Sequence, residues 1–470
     1  MARFSCKPWS LLINFMIFLC CLTVNVSADD LGHFLRSESG DKITFSSEKV
    51  LSLLKRFGKS EGDYSLFRQH ESWQENVRDS SRLGGHVFRK NKLDPDARKN
   101  MTELILSQGY ISEKYTVQTE DGFLLDVHRI PSGRGEIPIS SDGSGRSKPV
   151  VFLQHGLLSS SCDWVMNFAN GSLGFILADA GYDVWMGNSR GNTLSRKHVK
   201  LRPGNPKFWD WSFDEMAKYD LTAFIDFVLN KTNQSSLSYV GHSQGTTMAF
   251  ALFSQRPDMQ KKVNIFVTLA PVTLISNTVS LVQYLAEIPD EILFAMLGRR
   301  DFLPSDLLVR TLVDLLCHDE ATRWVCYNIL FILAGPDLTN LNQTRLEVYM
   351  NHSPAGASVK DIVHFAQIYR EKKFLMYDFG SPSENMKHYN QTSPPEYVVT
   401  NITVPVLAFT GTDDWLSDPE DASALLNSLP DVISWVVLDG WNHLDFVWGE
   451  NAAQLCYHPI VQWLHKFSLG

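Results

Sequence analysis

A serine between two glycines has the most chemically suggestive setting in this 470-residue chain. Residues 241–245 read Gly-His-Ser-Gln-Gly, with Ser243 at the centre. In the Gly-x-Ser-x-Gly motif the serine lies on a tight turn between a strand and a helix, and the glycines leave room for neighbouring backbone. An apolar run at 237–240 precedes the motif, and a helix-favouring run at 248–253 follows it. This context favours a nucleophile at Ser243 over an ordinary glycine-rich turn.

A serine hydroxyl is a weak nucleophile unless a base removes its proton and a third group orients that base. In folds that carry this motif an acid and then a histidine follow the serine, each after a late strand. His443 comes soon after the apolar run 433–438, which fits the base. The loop after the run 404–410 offers three carboxylates for the orienting group, and spacing does not choose among Asp413, Asp414 and Asp418.

A tetrahedral intermediate also needs N–H donors for its oxyanion. One donor is expected from the residue after the nucleophile, Gln244, and another from the loop after the first long strand. That loop reads Gln-His-Gly-Leu-Leu at 154–158, so Leu157 is the second candidate. A His-Gly pair after a strand is also a common turn, which makes this signal weaker than the serine motif.

Apolar runs of four to eight residues alternate with helix-like segments along much of the chain. They lie at 149–154, 182–186, 237–240, 264–270, 404–410 and 433–438. Continuous apolar runs are typical of strands that are covered on both faces, as in a parallel sheet with crossover helices. Two strand-like runs at 114–119 and 123–130 flank a turn at Gly122 and predict a preceding hairpin. The predicted fold class is therefore α/β with a mostly parallel central sheet.

The strand signal stops between about 271 and 400, where helix-leaning sequence intervenes. Structureless loops of that length are uncommon, so the segment is predicted to be a subdomain. Its position before the last strands would set it above the candidate serine. The predicted organisation is a core with a helix-rich cap inserted before its last strands.

The amino-terminal residues predict a secretory protein. Arg3 and Lys7 precede an apolar stretch at 11–22, and small residues lead up to Ala28, which is the pattern of a signal peptide at 1–28. The stretch is shorter than the roughly 20 residues that a membrane span needs. No later run of 18 apolar residues occurs, so no transmembrane segment is expected. The charge-dense extension at 29–95 has no assigned role: a propeptide, a packed extension and a disordered tail all stay open.

The cysteines and glycosylation sequons fit an oxidising compartment. The cysteines that follow the signal are Cys162, Cys317, Cys326 and Cys456, too few for a disulfide-built scaffold. The nine-residue spacing favours a disulfide between Cys317 and Cys326. Candidate N-glycosylation sites lie at Asn100, Asn170, Asn230, Asn233, Asn342, Asn351, Asn390 and Asn401.

The charge of the chain restricts its partners. Removal of Arg3 and Lys7 with the signal moves the formal net charge from -9 to -11. An acidic chain disfavours nucleic acid and strongly anionic membrane surfaces, and it is compatible with a neutral, apolar substrate. The histidines show no zinc-binding spacing, so no metal is expected. Ester hydrolysis by a serine, a histidine and an acid needs no organic cofactor.

Longer blocks of sequence at 154–157, 177–185, 187–192, 212–220, 241–247 and 442–446 resemble the acid lipases, the family of gastric and lysosomal acid lipases with plant and insect relatives. The match runs from about residue 101 to 469. The resemblance implies an α/β-hydrolase fold. It carries the family's triad onto Ser243, Asp414 and His443, and its oxyanion amides onto Leu157 and Gln244.

The resemblance also implies a cap domain at 274–398 between core segments at 96–273 and 399–470, and it matches a disulfide in the family's cap to Cys317 and Cys326. Cys162, Cys456 and the 29–95 segment have no counterpart in the pattern, so their roles stay open.

The function implied by the resemblance is hydrolysis of neutral lipid esters, triacylglycerols and by extension cholesteryl esters, through an acyl-enzyme at a lipid–water interface. The alternatives are a carboxylesterase for shorter soluble esters and an inactive carrier with the hydrolase fold. The carrier is disfavoured because serine, acid and histidine are all present. The sequence predicts a secreted or lysosomal protein but does not separate these locations, and it gives no pH optimum, acyl-chain preference or oligomeric state.

Overall fold

The computed structural model describes residues 94–136, 148–280, 282–303, 330–331, 333–336 and 340–468. The predicted signal peptide, nearly all of the 29–95 segment, and Cys317 and Cys326 lie outside the described residues.

The strands form one large sheet and one short pair. Their bounds are β1 Glu113–Gln118, β2 Phe123–Ile130, β3 Val150–Gln154, β4 Asp183–Gly187, β5 Lys197–His198, β6 Leu237–His242, β7 Val263–Leu269, β8 Asp301–Phe302, β9 Ala357–Ser358, β10 Val406–Gly411 and β11 Val432–Leu438. In the described part of the chain the large sheet has the order β1-β2-β4-β3-β6-β7-β10-β11, and β5 pairs with β2 off this path. β8 and β9 pair separately.

The topology places a switch point at the centre of the sheet. β1 and β2 pair antiparallel, as the predicted hairpin requires, and β2 is also antiparallel to β4 and β5. The strands from β4 to β11 along the order run parallel. The chain leaves β3 on one side to form β4 and later forms β6 on the other side of β3. At such a switch point the loops at the carboxyl ends of the strands diverge and leave room for a ligand.

Burial on both faces explains why these strands read as continuous apolar runs. Every residue of β3, β4, β6 and β10 is buried. Side chains alternate between the two faces along a strand. In β3, Val151 and Leu153 join a cluster with the helix His458–Ser468, whereas Phe152 joins a second cluster with the helices Thr222–Thr232 and Gln244–Gln255. The prediction of a mostly parallel α/β sheet is confirmed.

Helices cover both faces of this sheet. The α-helices are Met101–Ser107, Leu173–Asp179, Phe213–Glu215, Thr222–Thr232, Gln244–Gln255, Pro257–Gln260, Val282–Ala286, Asp290–Leu297, Leu346–His352, Val359–Glu371, Pro382–Tyr389, Pro419–Ser428, Asp445–Trp448 and His458–Ser468. Tighter 3-10 turns occur at Pro95–Arg98, Ser161–Trp164, Pro206–Trp209, Gln343–Arg345 and Val399–Asn401, and wider π-helical turns at Met216–Leu221 and Ala453–Tyr457. Within the described ranges, no helix has both the length and the apolar character needed to cross a membrane.

Between β7 and β10 the described chain is largely helical, in the segment predicted as a cap. Its helix Val359–Glu371 contacts two hydrophobic clusters. Phe365 and Ile368 join the cluster that includes Phe152 of the sheet, while Val363 and Ala366 join a smaller cluster with neighbouring helices of the same segment. This helix therefore connects the segment to the core. The boundaries 274–398 stay a prediction.

The last strand differs from the prediction. The apolar run at 433–438 was expected to be covered on both faces, but of β11 only Leu438 is buried. Trp435 and Val437 are 37% and 54% exposed. The reason is position, because β11 pairs with β10 and ends the sheet order.

Candidate active site

Ser243 lies on a strained turn between β6 and the helix Gln244–Gln255. Its φ of 53° and ψ of -121° are unusual for a residue with a side chain, and such strain is often found at functional sites. Its N–H donates to the Leu269 carbonyl of β7 at 3.0 Å. A Cβ on Gly245 would come within 2.4 Å of the Gln154 backbone oxygen, and one on Gly241 within 2.8 Å of Gly245 backbone. The glycines of the motif are therefore required by close backbone contacts on both sides of the serine.

A hydrogen-bonded relay connects Ser243 to a buried carboxylate. The His443 Nε2 atom lies 2.7 Å from the Ser243 hydroxyl oxygen, and its Nδ1 atom lies 2.9 Å from each carboxylate oxygen of Asp414. His443 and Asp414 are 3% and 1% exposed. A carboxylate beside Nδ1 requires the imidazole proton there, which leaves Nε2 to accept the serine proton.

The three loop aspartates occupy different positions. Asp414 accepts the N–H groups of Leu416 and Ser417 at 2.9 and 2.7 Å in addition to its contact with His443. Asp418 begins the helix Pro419–Ser428, where its carboxylate accepts the N–H of the second helical residue. Asp413 is half-buried, and its N–H donates to a carbonyl in the histidine loop. Of the three, Asp414 makes the hydrogen bond to the histidine.

The two candidate oxyanion donors border the serine. Gln244 is the first residue of its helix, so its N–H has no partner within the helix, and the helix dipole adds positive potential there. The loop after β3 passes directly against the serine: a Cβ on Gly156 would lie 3.0 Å from the Ser243 Cβ. The next residue, Leu157, is half-buried against the apolar cluster of that face. This arrangement can bring both N–H groups to a carbonyl oxygen held at Ser243.

Two buried histidines beside the relay were not predicted from sequence. The His155 Nε2 atom accepts the Ser189 N–H at 3.1 Å, so Nδ1 carries the proton and donates to the Gly156 carbonyl at 2.8 Å. The His242 Nε2–H group donates to the His443 carbonyl at 2.9 Å. Burial lowers the pKa of His155 to about 4, and burial with the nearby His443 lowers that of His242 to about 3. His155 and His242 lie inside the sequence blocks 154–157 and 241–247 that carry the family resemblance, and this resemblance was the sequence signal available for predicting them.

A buried ion network fixes the loop after β4. Arg190 is almost fully buried, and its guanidinium donates to Asp220 at 2.8 Å and to both oxygens of Asp121 at 2.7 and 3.0 Å. The Arg190 N–H also donates to Asp220 at 2.9 Å. The network ties the β1–β2 turn and the turn Met216–Leu221 to the loop whose Ser189 holds His155.

The remaining predicted residues lie away from this centre. Asn100, Asn170, Asn230, Asn233, Asn390 and Asn401 are exposed, and Asn342 and Asn351 are half-buried. Cys162 and Cys456 are free and buried. Burial raises the pKa of the Cys162 thiol to about 12 and raises that of Cys456 as well. In the described part of the chain, no group of three or more His, Cys, Asp or Glu side chains is arranged to hold a metal ion.

Comparison with known proteins relates this geometry to a family. Residues 149–450 match the family described as alpha/beta hydrolase fold, and residues 101–168 match a partial alpha/beta-hydrolase lipase region. The lysosomal acid lipase/cholesteryl ester hydrolase of Homo sapiens is 44% identical over 80% of this chain and 93% of its own length. The gastric triacylglycerol lipase of Rattus norvegicus is 46% identical over 78% of this chain and 92% of its own length. The gastric triacylglycerol lipase of Homo sapiens is 45% identical over 79% of this chain and 92% of its own length.

Proposed function

Because this chain belongs to the family of gastric and lysosomal acid lipases and is a lipase, we propose that it hydrolyses neutral lipid esters through an acyl-enzyme on Ser243. The observation that carries the proposal is the unbroken relay from Asp414 through His443 to the Ser243 hydroxyl, at the amino end of a helix. The proposed substrates are triacylglycerols, with cholesteryl esters as a second class, since relatives are named for both.

The proposed reaction has two halves. Ser243 attacks the ester carbonyl carbon while His443 Nε2 takes the hydroxyl proton, and the tetrahedral oxyanion accepts hydrogen bonds from the Leu157 and Gln244 N–H groups. His443 then gives the proton to the departing alcohol. Water attacks the acyl-enzyme with His443 again as base, which releases the fatty acid and restores the serine. Asp414 accepts the hydrogen bond from the Nδ1–H group of His443 throughout and stabilises the imidazolium.

The neighbouring histidines place no positive charge beside His443 in a mildly acidic medium. An imidazolium forms at His443 in each half-reaction, and a second positive charge beside it would oppose that step. The pKa of His242 is about 3 and that of His155 about 4, so both stay neutral in a mildly acidic medium. Below pH 6 an ordinary histidine would be mostly charged.

The proposed location is the secretory pathway, either the lysosome or the extracellular space. It is supported by the predicted signal peptide at 1–28, by the names of the relatives, and by the exposed sequon asparagines. A cap at 274–398, a disulfide between Cys317 and Cys326, and a lipid–water interface as the place of action belong to the same proposal.

The test compares the secreted wild type with Ser243→Ala on emulsified triolein, cholesteryl oleate and a soluble butyryl ester. Loss of the nucleophile is expected to lower kcat by roughly a factor of 10⁶. Ser254→Ala is the matched control, because that hydroxyl donates to a carbonyl of its own helix at 2.9 Å. Unchanged hydrolysis by Ser243→Ala would refute the nucleophile. Activity confined to the butyryl ester would favour the carboxylesterase, and an inactive wild type would favour the carrier.

A further inference from the structure

A carboxylate from the segment between β7 and β10 reaches the residue that follows the candidate nucleophile. Asp361 lies in the first turn of the helix Val359–Glu371 and is fully buried. One of its oxygens accepts the Phe213 N–H at 2.7 Å, and the other accepts the side-chain amide of Gln244. The Gln244 side chain, which the proposed reaction does not use, is thereby held by an element outside the strand–turn–helix unit.

The start of this helix is itself anchored. The Ser358 hydroxyl lies 2.8 and 2.9 Å from the carbonyls of Trp209 and Trp211, and it accepts the N–H of Lys360 at 2.9 Å. The Lys360 ammonium lies 2.9 Å from Asp210. Because Ser358 and Lys360 are both bonded to residues 209–211, Asp361 has little freedom to move away from Gln244.

The carboxyl of Asp361 is buried among like charges. No ion pair of Asp361 is found in the described part of the chain, and the charges that act on it from the neighbouring helix are Asp214 and Glu215. Burial above all, with these two carboxylates, raises the pKa of Asp361 to about 7. A buried carboxyl without a cation costs folding free energy, and the hydrogen bonds from the Phe213 N–H and the Gln244 amide offset part of that cost.

We propose that Asp361 is a positioning residue, which holds Gln244 so that the Gln244 N–H points at the oxyanion. The inference rests on the proposed function, because an oxyanion forms only if Ser243 attacks an ester. The contact does not require one charge state of Asp361. A carboxylate accepts from the Gln244 NH₂ group, and a protonated carboxyl donates to the Gln244 oxygen once the amide has turned by half a rotation.

The experiment is a double-mutant cycle on a soluble short-chain ester. Asp361→Ala and Gln244→Ala are each expected to lower kcat about tenfold, since small misplacement of a reacting group is costly, and to leave KM within about twofold. The double variant is expected to lose no more than either single variant, because all three remove the same contact. Asp361→Asn is expected to keep most of kcat, because its amide can still meet the Phe213 N–H and the Gln244 side chain.

Asp214→Ala is the matched control. Asp214 is half-buried and accepts the Tyr377 N–H at 2.9 Å and the Tyr397 hydroxyl at 2.5 Å, but neither bond involves Gln244. Its loss is expected to lower the melting temperature with kcat unchanged. The change in melting temperature should add to that caused by Gln244→Ala.

The outcomes separate this inference from the proposed function. Wild-type kcat in Gln244→Ala or in folded Asp361→Ala, multiplied losses in the double variant, or an equal kcat loss in Asp214→Ala would each overturn the positioning role. If Asp361→Ala does not fold, the kcat values of Gln244→Ala and Asp361→Asn still test the positioning role. A hydrolytic activity that survives Ser243→Ala overturns the proposed function instead.

Discussion

Replacement of Asp414 by asparagine changes one atom in the relay and leaves its shape intact. The Asp414 oxygen that accepts the N–H groups of Leu416 and Ser417 would be retained as the amide oxygen, since both donors contact the same atom. The amide NH₂ would then face His443 Nδ1. The NH₂ group and an Nδ1–H group are both donors and cannot form a hydrogen bond with each other. The imidazole therefore carries its proton on Nε2, which can no longer accept the hydrogen bond from Ser243. The loss expected for a wrong tautomer is about 10⁴ in kcat, which is about 5.4 kcal/mol of barrier.

The assay is kcat on a soluble ester, with melting temperature as the measure of folding. Asp413→Asn and Asp418→Asn are the controls. Asparagine caps a helix about as well as aspartate, so Asp418→Asn should keep wild-type kcat and stability, and Asp413→Asn should keep kcat because His443 makes no hydrogen bond to it. Asp414→Asn with kcat within tenfold of wild type, or an equal loss in Asp413→Asn, would refute the role given to Asp414.

Three further predictions concern stability. Arg190→Met leaves Asp220 buried without its cation and should lower the free energy of unfolding by about 3–5 kcal/mol in urea; a change near zero would contradict the importance of the pair. Gly245→Ala puts a Cβ 2.4 Å from strand backbone and should cost about 1–3 kcal/mol with loss of activity, whereas Gly204→Ala enters open space and should be neutral. Burial lowers the pKa of His128 to about 4, below its unfolded value near 6.5, so its contribution is present above pH 6.5 and is lost as pH falls towards 4. His128→Gln should therefore flatten the fall in unfolding free energy over that interval by about 1.4 kcal/mol per pH unit, and an unchanged slope would contradict this.

The serine turn and the two late loops were predictable because their signals are local. Ser243 lies between a strand and a helix that the sequence shows on either side of it. The choice among the aspartates was only partly local. Asp418 precedes Pro419, a pattern that signals a helix start, and the sequence could have excluded it. The choice between Asp413 and Asp414 depends on how the loop folds back towards the histidine.

The contacts that sequence reasoning missed join distant parts of the chain. Asp361 and Gln244 are separated by 117 residues, and His242 and the His443 carbonyl by 201. The periodic pattern of apolar residues does not predict contacts between residues so far apart in the sequence. The exposed face of β11 was missed for a related reason: an apolar run of the same length predicts a central strand and an edge strand alike, and the order of strands decides which one forms.

Cys162 and Cys456, the buried free cysteines of the described residues, can report how often the hydrophobic core opens. Cys162 and Cys456 both belong to the hydrophobic cluster beneath one face of the sheet, and a thiol reacts as the exposed thiolate. A bulky disulfide reagent should therefore label them only when that layer opens. With any disulfide left intact, the labelling rate of the two thiols would report how often the lipase core opens, without a dye or a substitution.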